Sequence, residues 1–189
     1  MYVEIACIID ESGSMESTKS ASIEGYNSFL KQQQELPGEA KFSLVFFNTV
    51  DRMVYNAVDL HYAAPLTDMS YRPYGGTALY DAVGRTIDSL GERFSSAARK
   101  PDKVVFVILT DGEENSSRSY TKQMVADKIK HQKEKYAWEF IFLAANQDAF
   151  ATGSGLNIPQ YSTFNYVATE AGTRDAYAVA SASLSNFRA

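Results

Sequence analysis

Cysteine is almost absent from this sequence: Cys7 is the one thiol among 189 residues. A lone cysteine closes no internal disulfide, so cysteine usage points to no oxidising compartment, and Cys7 reads as a small buried apolar residue. Histidine is nearly as scarce. His61 and His131 stand far apart, which gives no zinc-ligand spacing, and neither has neighbours suited to activating a nucleophilic serine. Neither a Gly-x-Gly-x-x-Gly run nor a Walker A sequence is present. No apolar stretch approaches the roughly 18 residues that a membrane-spanning helix needs. The first residues enter a strand pattern at once, without a basic leader. Basic blocks are missing too: 18 Lys and Arg against 23 Asp and Glu give a net charge of −5, a poor match for nucleic acid or an anionic membrane. Together these absences lead us to expect a cytoplasmic protein.

What is present is an ordinary globular composition, 45% hydrophobic and 22% charged, enough for one domain over 1–189. Tyr2 to Ile9, Lys41 to Asn48, Met53 to Leu60, Lys103 to Leu109, Trp138 to Ala144 and a short run near Tyr161 to Tyr166 read as strands. Helical spacing marks the segment after Ser17 or Thr18, the segment after Thr77, then Tyr120 to Tyr136 with Met124, Val125 and Ile129 inward. A last helix, Ala171 to Phe187, carries Ala176, Val179, Ala180, Leu184 and Phe187 on its apolar side. The tight Asn48–Asp51 step forces an antiparallel hairpin. Lys103 to Leu109 is apolar on both faces, as central parallel strands are. Gly153-Ser154-Gly155 reads as a turn. The alternation predicts an α/β fold: a doubly wound, mostly parallel six-stranded sheet with one antiparallel edge strand and helices on both faces.

Three strand-to-helix loops carry matching chemistry: Asp10-x-Ser12-x-Ser14, Gly75-Gly76-Thr77 and Thr110-Asp111-Gly112. In such a sheet these loops lie at the carboxyl ends of the strands, where ligands bind. If the first and fourth strands are central neighbours, Asp10 and Asp111 end side by side. Oxygen side chains on tight loops suit a hard cation such as Mg2+.

The three-part pattern resembles the von Willebrand factor A family and its metal ion-dependent adhesion site, and the likeness spans essentially the whole chain. The resemblance implies that Asp10, Ser12, Ser14, Thr77 and Asp111 bind a metal, Mg2+ or else Mn2+ or Ca2+. It implies hydroxyls binding directly and aspartates directly or through water, with one position left for a partner's carboxylate. The function it implies is cation-dependent protein–protein interaction without catalysis, of the bacterial or phage intracellular type. An AAA+ ATPase system is a candidate partner; nucleic acid and membrane are not. The alternative is an Mg-dependent phosphoryl-transfer or hydrolytic enzyme using the same crevice. Met15-Glu16-Ser17-Thr18 lacks the acidic pair that builds a second cation site in integrin-type members.

Around the pattern, Gly13, Gly75, Gly76 and Gly112 are expected to let the backbone turn or come close. Glu11, Glu113 and Glu114 read as solvated loop carboxylates. Tyr71 and Tyr74 either pack onto the sheet edge or serve as contact anchors. The long 61–76 loop is expected to be held by few hydrogen bonds.

Overall fold

The computed structural model describes all residues, 1–189. β-Branched and aromatic runs form six strands: β1 (Tyr2–Asp10), β2 (Glu39–Phe47), β3 (Asp51–Asp59), β4 (Lys103–Thr110), β5 (Glu139–Ala144) and β6 (Thr163–Asn165). Their order is β3-β2-β1-β4-β5-β6. All neighbours run parallel except β2 and β3, whose short turn makes them an antiparallel hairpin at the sheet edge. Strand order reverses between β1 and β4, and there the carboxyl ends open a crevice.

Five helices cover the sheet: α1 (Lys19–Glu35), α2 (Leu79–Ser96), α3 (Lys122–Tyr136), α4 (Ala149–Gly155) and α5 (Glu170–Arg188). Alternate residues of β1 serve opposite faces. Ile5, Cys7 and Ile9 pack with Tyr26, Phe29 and Leu30 of α1 and Tyr177, Ala180 and Leu184 of α5. Ala6 and Ile8 pack with Val83, Ile87 and Leu90 of α2 and Val125 and Ile129 of α3. The predicted fold class is therefore the observed one.

Local expectations fail in instructive places. Gly153-Ser154-Gly155 is not a free turn but the end of α4, which Asp148 caps by accepting the Ala151 N–H. Met124 and Val179 face solvent, 42% and 37% exposed, because their helices show the sheet a narrower apolar stripe than the sequence suggests. The third helix starts at Lys122, where the Thr121 hydroxyl caps the Met124 N–H.

Candidate functional site

β1 and β4 lie in register, Ile9 opposite Leu109, so Asp10 and Asp111 leave the sheet beside each other. Asp10 is fully buried and both its oxygens are engaged. Oδ1 accepts the Ser12 N–H at 2.7 Å. Oδ2 accepts the Thr110 hydroxyl at 2.7 Å and the Asp111 N–H at 3.4 Å. Burial pushes the Asp10 carboxyl above its ordinary range, and the bonds from Ser12 and Thr110 pull it back in part.

Asp111 is 4% exposed and accepts the Ser14 hydroxyl on Oδ1 at 2.7 Å. Ser14 Oγ in turn lies 3.1 Å from Ser12 Oγ. Burial raises the Asp111 carboxyl to about 6; the Ser14 hydroxyl opposes the shift and the neighbouring Asp10 charge adds to it. Asp10, Ser12, Ser14 and Asp111 thus form one hydrogen-bonded constellation.

Thr77 sits on the adjacent loop. Its N–H donates to Asn115 Oδ1 at 2.8 Å and its carbonyl accepts the Asn115 N–H at 3.0 Å, which ties the second loop to the third. The Thr77 hydroxyl is not hydrogen-bonded to the other four residues; it is buried at 4% exposure and takes no part in holding the loop.

A family model for the von Willebrand factor type A domain matches residues 4–182. The chain belongs to this family. No curated protein matches the sequence. Among solved structures, this von Willebrand factor type A domain is similar to a von Willebrand factor type A protein from Catenulispora acidiphila, with TM-score 0.62 and 19% identity over 95% of this chain and 42% of that one. It is similar to proximal thread matrix protein 1 of the mussel byssus with a zinc-occupied MIDAS motif, at TM-score 0.65 and 13% identity over 95% and 46% of the two chains. The vWF domain of the type V pili tip protein Mfa5 from Porphyromonas gingivalis gives 0.64 and 10% over 97% and 95%. At such identities these likenesses show the fold. The chain spans less than half the length of the first two.

In this von Willebrand factor type A domain no three His, Cys, Asp or Glu side chains converge on a point. A cation in the crevice would therefore depend on hydroxyls. The donor set fits a hard divalent ion: Ser12, Ser14 and Thr77 hydroxyls, the free Asp111 Oδ2, and Asp10 already saturated by protein donors and suited to holding a water.

The sequence pattern left several supports unread. The Tyr71 hydroxyl, fully buried, donates to Asp10 O at 2.6 Å, and its ring meets Phe46 edge-on. Tyr71 is thus packing, whereas Tyr74 is 62% exposed. Glu11 is 2% exposed and not solvated: it pairs with Arg52 at 3.0 Å and accepts the Arg72 N–H at 3.0 Å. Glu114 accepts the Tyr80, Ser116 and Ser117 N–H groups, joining the third loop to the start of α2; Glu113 alone of the three is a plain exposed carboxylate. Asn146 donates to Asp111 O and Gln147 to Gly112 O, both at 2.7 Å, a support that the polar run after β5 could have suggested.

The expectation of a loosely held 61–76 loop also fails over its second half. Tyr71 to Gly76 forms a strap bonded across the first loop. Besides the Tyr71 and Arg72 bonds, Tyr74 N–H donates to Glu11 O, Gly13 N–H to Gly75 O, and Gly76 N–H to Thr49 Oγ1. Gly75 takes φ +77°, and a Cβ at Gly76 would collide with Ser116 Oγ, so both glycines are needed. Gly112 has nothing within 4 Å of such a Cβ, and Gly13 only ordinary contacts, so packing does not demand glycine there.

Proposed function

We propose that this domain holds one divalent cation, Mg2+ foremost, on Asp10, Ser12, Ser14, Thr77 and Asp111, and through it binds a carboxylate of a protein partner. The observation that carries this is the composition of the constellation: two serine hydroxyls, one carboxylate with a free oxygen, and a second carboxylate already engaged by Ser12 N–H and Thr110, with Thr77 fastened on the adjoining loop through Asn115. An ion ringed mostly by neutral oxygens keeps positive charge at its open position. It therefore attracts an external anion more strongly than any neutral group. Asp10 would act from behind a water, and Asp111 with the hydroxyls would set the geometry.

Binding without turnover is the role we propose, in an intracellular setting, with an AAA+ ATPase system the partner class that the family resemblance favours. The zinc-occupied MIDAS motif of the mussel protein supports a metal at this position of the fold. Acetate is a sufficient probe of the open position. With Mn2+ bound, relaxation of the acetate methyl protons should be strongly enhanced, and Asp111→Ala should abolish the enhancement while leaving circular dichroism unchanged. Bound Mn2+ that leaves acetate unrelaxed would refute an open, anion-seeking position.

A further inference from the structure

The strap from Tyr71 to Gly76, with Met69 just before it, presents three side chains that the fold leaves in water. Met69 is 72% exposed and Tyr74 62%. The Arg72 guanidinium meets only Met69 Sδ, at 3.6 Å. Val50, 64% exposed, lies on the β2–β3 turn, whose neighbour Arg52 donates to Ser70 O in the same stretch. That turn is joined to the strap where Thr49 Oγ1 accepts the Gly76 N–H, and Ala78 N–H donates to Asn48 O at 2.7 Å.

The backbone beneath these side chains is fixed. Tyr74 N–H is bonded to Glu11 O at 3.0 Å, Arg72 N–H to Glu11 Oε2 at 3.0 Å, and Lys19 Nζ to Asp68 O at 3.1 Å. A large aromatic and a methionine held in water on a rigid backbone gain nothing for the fold. They do match the composition of interface cores, where Tyr, Met and Arg are enriched. The backbone that carries them is already fixed, so a partner docking there has only side chains to order. Position adds a second reason: the strap is bonded to the loop that carries Asp10, Ser12 and Ser14, Tyr74 N–H to Glu11 O and Gly13 N–H to Gly75 O, both at 3.0 Å. Charge adds a third, since Arg72 is a cation without a carboxylate partner on a chain of net charge −5.

We propose, building on the carboxylate-binding role above, that Val50, Met69, Arg72 and Tyr74 form the specificity surface for the partner. The segment that fits presents a carboxylate to the cation, a large apolar or aromatic side chain against Tyr74 and Val50, and a second acidic residue facing Arg72. Such a segment is read in two parts: the cation takes the anion, and the strap selects what flanks it.

The test is a displayed library of seven-residue peptides with a central aspartate and random flanks, panned on the Mg2+-loaded chain and eluted with EDTA. We expect enrichment of aromatic or large apolar flanks together with a further Asp or Glu. Peptides so selected should bind the double variant Arg72→Ser/Tyr74→Ser on the order of tenfold more weakly or worse, while Mg2+ affinity, read by calorimetry, stays unchanged. Flanks as random as the input, or equal affinity for the variant, would overturn the specificity surface and leave the cation site standing. A library that yields no EDTA-releasable binders would instead overturn the carboxylate-binding role itself.

Discussion

Asp111 is the residue on which the chemistry turns. Burial, with the Asp10 charge behind it, holds its carboxyl at about 6 against an ordinary value of 3.8. The folded metal-free chain thus binds this proton more tightly than the unfolded chain does. Its stability falls as pH rises between those two values, and a cation that replaces the proton restores what ionisation costs. A proton and a metal compete for the same oxygen. Mg2+ affinity measured by calorimetry should therefore be flat above about pH 7 and fall as pH drops through 6, approaching about tenfold per unit. An aspartate of ordinary acidity would hold its affinity down to about pH 5. Equal affinity at pH 5.0 and 7.5 would contradict the placement of Asp111 in the inner shell.

Among the elements, the start of α2 matters most for the site because it ties two loops together. Asp81, in its first turn, is 7% exposed and accepts the backbone N–H groups of Arg118, Ser119 and Tyr120 at 2.8 to 2.9 Å. Burial alone would raise its carboxyl, yet these donors hold it below the usual range. Its contribution is present above the unfolded value and lost as pH falls through the lower folded one. Asp81→Ala leaves three N–H groups to find water, so urea unfolding at pH 7 should show a loss of about 1–3 kcal/mol, shrinking in strong acid. The variant should also weaken Mg2+ binding, because Thr77 and Asp111 flank the segment it anchors; full metal affinity in Asp81→Ala would contradict that coupling. Such supports were hard to see in the sequence, since they join residues some forty positions apart through backbone N–H groups that carry no side-chain signature. Glu11 shows the same limit: nothing local told that Arg52, on a hairpin strand, would reach it. The short α4 was hidden by its own glycines: Gly153 is there because a Cβ would press on Thr163, at 2.8 Å from Oγ1, not because the chain turns.

At the scale of the molecule, the legible part was large. Alternating strands and helices, one tight turn and one strand apolar on both faces were enough for the sheet class, and the observed order places β1 beside β4 as the crevice requires. The five candidate residues fall on loops at the same edge of that sheet, with four in one hydrogen-bonded group and Thr77 fastened alongside through Asn115. The unread part is the stitching: the strap over the first loop, the Tyr71 hydroxyl on Asp10 O, and the amides of Asn146 and Gln147 beneath the third loop. These tie three loops together at the carboxyl ends of the central strands, and loops so tied are what position hydroxyls for an ion that tolerates little error in its shell. Crystals of the chain grown with Mn2+ test this most directly, through an anomalous difference map. The account predicts one peak per chain, within about 2.5 Å of the Ser12, Ser14 and Thr77 hydroxyl oxygens and with Asp10 reached through water; a map without a peak in the crevice, or a peak bound elsewhere, would contradict it.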